Sequence, residues 1–167
     1  GAGGSSGTQN SGGTGGNGGF GGGAGAGGTG SASGTPGAPG FGGGGVFETG
    51  GGGGGAAFGG AIFIRSGQLD LVNDSFENNS SAVNFLSGTP GLAKGGAVFA
   101  LNILHNANGN DQGMPTKLPK VTGCANAFSG NAATNAGSTD SDNTSTFGTG
   151  RAALTASCDT LFANGFD

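Results

Sequence analysis

The chain lacks Trp and Tyr, and it has one Met, one His and few charged side chains among its 167 residues. Five Lys or Arg and nine Asp or Glu give a formal net charge of -4 at pH 7, so no basic patch forms. Nucleic acid and anionic membranes are therefore poor candidate partners. The apolar runs are only a few residues long, which is too short to span a bilayer.

The same scarcity argues against an enzyme. His105 is the only histidine, so the sequence offers neither a Ser, His, Asp triad with a spare base nor an ordinary zinc site. We expect His105 to be a turn or surface residue. Paired-carboxylate glycosidases require a groove with sugar-stacking aromatics, which a chain without Trp and Tyr does not supply. We therefore predict no catalytic, cofactor-binding or metal-binding residue.

An acidic stretch, TDSDNT, is the one candidate cation site. Asp140, Asp142 and Asn143 are close enough in sequence to bind calcium together. The stretch lacks the glycine and the distal bidentate Glu of an EF-hand loop, so a solvated loop is the favoured alternative.

The two cysteines, Cys124 and Cys158, lie 34 positions apart and belong to no CxxC or Cys/His cluster. In an exported chain they are expected to form one disulfide. The alternative is a pair of buried thiols in a cytosolic protein. The chain begins at Gly1 without Met, which is the expected appearance of a mature or trimmed product.

Glycine dominates the first third of the chain. Of 45 glycines, 32 lie within residues 1–60, and residues 1–47 contain no ionisable side chain. Cut in threes from Gly12, the sequence reads GGT, GGN, GGF, GGG, AGA, GGT. A period of three matches a polyproline II type helix, and two glycine edges let such helices pack through backbone hydrogen bonds. We predict a bundle of polyglycine II type helices over residues 1–57; the alternative is a flexible tether.

The second part, residues 58–167, carries two repeats. Gly59, Gly60, Ala61 and Ile62 are echoed 36 residues later by the GGAV that starts at Gly95. The pattern Phe-x-x-Asn occurs at Phe76 and again at Phe128. Alternating stretches such as AIFI and QLDLVN are typical of short strands with one buried face. Repeated short strands with Gly and Asn corners predict an all-β fold, a short parallel right-handed β-helix with a disulfide-tied C-terminal turn.

These motifs resemble a known family. The GGA[I/V] and FxxN pairing is similar to the repeats of polymorphic outer membrane proteins and related Gly-rich secreted β-helix proteins of Gram-negative bacteria. The polyglycine run that leads into GGAIF and the closing CDTLFANGFD also resemble such exported proteins. The resemblance implies a β-helix at the cell surface or outside the cell. This chain departs from the family in having only two GGA units, with a polar insertion near residues 102–120.

The sequence favours a structural role. Short β-helices without polar caps leave open strand edges, which favour association with copies of the same chain. We predict an extracellular, self-associating subunit of a fibre or filament, without a membrane span. Its expected partners are copies of itself and other surface material. The few large apolar side chains of the first 60 residues must pack against the β-rich part or against a neighbouring subunit, and the self-association candidates among them are Phe20, Phe41, Phe47 and Phe58. The alternative is a monomeric binding module, either an adhesin tip or an ice-binding protein.

Overall fold

The computed structural model describes residues 3–5, 11–47, 50–83, 88–135, 138–139, 145–148 and 154–158. These residues form an all-β protein with almost no helix. The twelve strands are β1 (Ala57–Phe58), β2 (Ile62–Ile64), β3 (Gln68–Val72), β4 (Ser75–Glu77), β5 (Ser80–Ala82), β6 (Ala93–Lys94), β7 (Val98–Ala100), β8 (Lys120–Cys124), β9 (Ala127–Ser129), β10 (Ala132–Asn135), β11 (Ser138–Thr139) and β12 (Thr146–Gly148).

The strands are stacked in two main tiers. The first tier (residues 57–83) contains β1 to β5, and the second tier (residues 93–135) contains β6 to β10. Each strand of the first tier pairs in parallel with the corresponding strand of the second, β1 with β6 through to β5 with β10. Strand β12 adds a third parallel member beside β7, and β11 pairs antiparallel with β10. The all-β class and the parallel strands predicted from the sequence are confirmed.

Successive side chains of β2 and β7 point alternately to two sides of the sheet, and both sides are apolar. Ile62, Ile64, Val98 and Ala100 belong to a core cluster enclosed between the strands, whereas Phe99 belongs to a second cluster on the opposite face. Successive strand residues point to opposite faces, so the sequence IFI places its two isoleucines in the first cluster and its phenylalanine on the second. The 36-residue GGA repeat is thus the pairing of β2 with β7.

Corners of the two tiers stack on each other with the same backbone twist. Asn78, with a φ of 56°, lies 52 positions before Gly130, with a φ of 62°. Glycine and asparagine are the residues that adopt this left-handed conformation most readily. Next to the corner, the buried Asn131 accepts hydrogen bonds from the Asn79 backbone and side-chain nitrogens at 3.0 Å each. The Phe-x-x-Asn repeat is therefore a stacked corner, with Phe76 and Phe128 parallel at 5.1 Å.

The glycine-rich part consists of extended segments joined by backbone hydrogen bonds. Donors recur at every third residue: Gly12, Gly15, Gly18, Gly21 and Ala24 donate in turn to Ala32, Thr35, Ala38, Phe41 and Gly44. A second, antiparallel set with the same period runs from Gly34, Gly37 and Gly40 to Gly28, Gly25 and Gly22. Residues 53–56 continue this network before the chain enters β1. No helix within the described ranges is long and apolar enough to cross a membrane.

Candidate functional site

The two parts of the chain meet at a group of six rings, named here the phenylalanine cluster: Phe20, Phe41, Phe58, Phe63, Phe99 and Phe147. Phe63, Phe99 and Phe147 come from β2, β7 and β12 and stack along the strand-pairing direction, with centroids 5.4 and 5.1 Å apart. Phe58 stacks on Phe99 at 4.4 Å, and Phe20 and Phe41 reach the cluster from the glycine-rich part. The cluster therefore holds the glycine-rich segments against the strands.

Three of the four self-association candidates lie in this cluster. The sequence left open whether these rings pack within their own chain or against a neighbouring subunit. The structure shows Phe20, Phe41 and Phe58 packed with the strands of the β-rich part of the same chain. Phe47 lies elsewhere and is 51% exposed. Phe63, which was not predicted, is 47% exposed at the end of the ring stack. A role for any of these rings between subunits stays a prediction.

Within the part of the chain that the structure describes, the first tier has a strand edge with no partner. Among the described residues, β2, β3, β4 and β5 each pair on one side only, with the second tier. The side of β1 that faces away from β6 is occupied differently, because the Ala56 amide just before it donates to Gly21. The unpaired outer side of β2 to β5 is called the open edge below.

The direction of the backbone groups at β2 follows from its existing bonds. The Ile62 N–H donates to Ala97, and the Ile64 carbonyl accepts from Leu101. In a parallel ladder the N–H and C=O of one residue point to one side, and successive residues alternate. The N–H and C=O of Phe63 therefore point toward the open edge. Strand β2 has neither a proline nor a charged residue, which are the usual protections of an edge strand.

The two ends of the stack differ in how well they are covered. At the open edge Ile62, Ile64 and Leu69 of the first tier are only partly buried, although Leu71 of the same tier is buried. At the other end Leu154 is 1% exposed, and the backbone carbonyls of Leu154 and Ala156 accept hydrogen bonds from Asn126 and Ala125. The segment 154–158 thus covers part of the second tier, whereas Ile62, Ile64 and Leu69 of the first tier keep part of their surface exposed.

A groove of about 520 Å³ adjoins Phe63 at the junction with the glycine-rich part. Phe20, Phe58 and Phe63 line it together with Arg65 and two glycines of the first segments. The Arg65 guanidinium lies 5.5 Å from the Phe20 ring and donates to the Gly113 carbonyl at 2.7 Å. The groove therefore combines three aromatic rings and one fixed cation, and one of these rings, Phe63, belongs to a strand of the open edge.

The polar insertion between β7 and β8 fastens the glycine-rich part. The Asn110 side chain donates to the carbonyl of Gly18 at 2.7 Å, and Asn108 donates to that of Pro39 at 2.8 Å. Within the insertion, Asp111 accepts from the Asn106 amide at 2.7 Å and lies 2.7 Å from His105 Nδ1. The hydrogen bonds from His105 and then Asn106 lower the pKa of Asp111 below its usual value of 3.8. His105 is a surface residue, as the sequence predicted.

Cys124 and Cys158 are at disulfide-bonding distance, as predicted from their isolation in the sequence. The pair connects the end of β8 to the segment 154–158 that covers the core. Within the described ranges, no three His, Cys, Asp or Glu side chains are grouped so as to hold a metal ion. Outside the described residues lie the candidate calcium ligands, Asp140, Asp142 and Asn143.

Comparisons were made with protein families, with curated proteins and with solved structures, and none of them matches this chain.

Proposed function

We propose that this protein is an extracellular structural protein that associates with copies of itself into a surface fibre or filament. Its β-rich part is a short right-handed β-helix of the kind found in Gly-rich secreted and surface proteins of Gram-negative bacteria. Its glycine-rich part is a bundle of polyglycine II type helices, and residues 1–57 and 58–167 are its two structural units. The protein catalyses no reaction and needs no cofactor.

The open edge is the observation that carries this proposal. Its strands have unpaired backbone groups, and the partly buried Ile62, Ile64 and Leu69 lie at the same end of the core. An end of this kind is stabilised when a further strand layer covers it. Hydrogen bonding with a period of three in the glycine-rich part supports the polyglycine II bundle. The bonded cysteine pair and the scarcity of charge are compatible with a location outside the cell.

Static light scattering of the oxidised protein over a concentration series tests the proposal. We expect the mean mass to rise continuously with concentration, because contacts that do not close into a ring propagate. A mass that stays at that of one chain up to high micromolar concentration would exclude the fibre.

A monomeric binding module is the second candidate, and one surface favours its ice-binding form. Ser11, Thr14 and Asn17 are exposed at every third position of one glycine-rich segment. Thr35 lies beside Thr14 on the neighbouring segment, with their hydroxyl oxygens 3.3 Å apart, and Asn17 accepts from the Ala38 amide. These side chains form a regular row on a rigid backbone. Thermal hysteresis of dilute protein should be measurable if this row binds ice, and its absence removes this candidate.

A further inference from the structure

We propose that the open edge of β2 is the receiving surface of the subunit contact, and that its occupant is strand β12 of a second copy. The inference rests on the proposed self-association and identifies the strands that make it. In this arrangement Phe147 of the second copy stacks on Phe63, so that the row of rings continues from one subunit into the next.

The second copy is indicated by the pattern that already joins the strands within one chain. Pairing of β2, β7 and β12 is parallel and in register, with Phe63 opposite Phe99 and Phe99 opposite Phe147. The central ring, Phe99, has no exposed surface, because Phe63 and Phe147 flank it along the row and Phe41 and Phe58 also contact it. Phe63 ends the row and is 47% exposed. One more parallel strand carrying a phenylalanine in this register covers Phe63 in the way that Phe99 is covered.

Backbone groups at the other end of the same sheet complement the open edge. The Val98 N–H donates to the carbonyl of Ser145, so residues 145 and 147 direct their backbone groups toward β7. Thr146 and Gly148 therefore direct theirs away from β7, where no strand within the described residues pairs with them. Phe63 presents its N–H and C=O outward from β2. A second copy displaced along the stack brings these two unpaired sets together as one further parallel ladder.

The groove beside Phe63 adjoins the position proposed for this strand. Phe20 and Phe58 line it on the side of the glycine-rich part and offer apolar contact to an incoming phenylalanine. Strand β12 itself has the sequence Thr-Phe-Gly and no charge, and the Lys94 ammonium lies 4.8 Å from the centroid of its Phe147 ring. The incoming surface therefore brings one cation to the aromatic groove, where a cation over a ring face is a favourable contact. Two copies joined in this way remain open at both outer ends, which gives a chain of subunits and not a closed pair.

Two variants block the two surfaces separately. Phe63→Asp places a carboxylate at the receiving edge, and Phe63→Leu is its matched apolar control. Thr146→Pro removes an N–H that points away from β7, so the internal pairing of β12 is kept, and Thr146→Val is the isosteric control that retains the N–H. Thermal unfolding of each variant establishes that it is folded. The loss of assembly is measured by sedimentation velocity with the oxidised full chain.

Each blocked variant alone is expected to sediment as one chain, while both controls assemble like the wild type. An equimolar mixture of Phe63→Asp and Thr146→Pro should give particles of two chains and nothing larger, because each variant retains one intact surface. If Thr146→Pro alone forms pairs, two receiving edges meet each other and the assignment is wrong. If both blocked variants assemble like the wild type, the contact lies elsewhere although self-association stands. A wild type that remains one chain overturns the proposed function as well.

Should a blocked variant fail to fold, cross-linking of the otherwise unchanged chain provides the second measurement. A mixture of Ala61→Lys and Ser145→Lys chains keeps both Phe63 and Phe147, and these two positions directly precede β2 and β12. Treated with a short amine-reactive reagent and digested, it should yield a cross-linked peptide joining positions 61 and 145 of different chains. Isotopic labelling of one chain identifies the link as intermolecular. A link found only within one chain, or a link joining two copies of position 61, contradicts the proposal.

Discussion

At the scale of single residues, buried asparagines hold the tiers together. Asn126 is buried, and its side-chain nitrogen donates to the carbonyls of Leu71 and Leu154 at 2.8 and 2.9 Å. Its side-chain oxygen accepts from the Asp74 amide at 2.8 Å. One side chain of the second tier thus bonds both the first tier and the covering segment, because an amide both donates and accepts.

Asn126→Ala should lower the free energy of unfolding by about 1 to 3 kcal/mol, because it leaves buried backbone groups without partners. Urea unfolding of the oxidised protein measures this loss. The matched control is Asn102→Ala, at an exposed asparagine, which should change stability by no more than about 0.5 kcal/mol. Equal losses in the two variants would contradict the bonding role of Asn126.

Asp111 gives a prediction for acidic pH. Its hydrogen bonds lower its pKa, so the ionised carboxylate stabilises the folded state. This stabilisation is present above the usual pKa of 3.8 and is lost as the pH falls through the lowered pKa. We expect the Asp111 carboxyl signal in NMR to titrate below pH 3.8, together with the amide signal of Asn106. In Asp111→Asn this coupled transition should be missing. A titration of Asp111 at or above 3.8 would show that the bonds to His105 and Asn106 are not maintained in solution.

At the scale of elements, the glycine-rich segments depend on close backbone approach. A Cβ added at Gly15 would collide with the carbonyl oxygens of Gly25 and Ala26, whereas one added at Gly19 meets nothing within 4 Å. Both glycines belong to the same segment. The segments are therefore not interchangeable with a flexible linker, in which either position would tolerate a methyl group.

Gly15→Ala should lower the free energy of unfolding by about 1 to 3 kcal/mol, the usual effect of forcing extra atoms into a packed site. Gly19→Ala is the matched control and should leave stability unchanged or slightly raised, because it reduces the freedom of the unfolded chain. Amide exchange of residues 11–44 locates the effect, and we expect lost protection in Gly15→Ala alone. Absence of protection in the wild type would support the tether.

The phenylalanine cluster gives the second prediction at this scale. Phe99→Ala removes the ring that contacts Phe41, Phe58, Phe63 and Phe147, and it should lower the free energy of unfolding by about 3 to 5 kcal/mol. Phe47→Ala removes an exposed ring and should cost about 0.5 kcal/mol or less. Denaturant unfolding compares the two. A loss in Phe99→Ala no larger than in Phe47→Ala would contradict the packing of the two parts through this cluster.

The order and pairing of many strands could be predicted because the corresponding strands have similar local sequences. The GGA repeat predicted corresponding strands, and the Phe-x-x-Asn repeat predicted corresponding corners. The docking of the insertion on the glycine-rich part was not predictable, because Asn110 and Gly18 are 92 residues apart and neither position carries a local signal. The ring stack of Phe63, Phe99 and Phe147 was missed too, although aligning AIF with AVF in the GGA repeat would have paired the first two.

At the scale of the whole molecule, the two ends of the stack are unequal, and this inequality gives the chain a direction. One end is covered by the segment that Cys158 ties to Cys124, and the other exposes the open edge. A directional subunit whose two ends differ is suited to head-to-tail assembly, in which every copy repeats the same contact. In such a fibre the strands lie across the axis and the ladders run along it.

Electron diffraction of aligned filaments, grown from the oxidised protein and first viewed in negative stain, tests this account most directly. The account predicts filaments with a reflection at about 4.8 Å along the filament axis, the spacing of hydrogen-bonded strands. Particles of one chain at every concentration, or filaments with that reflection perpendicular to their axis, would contradict it.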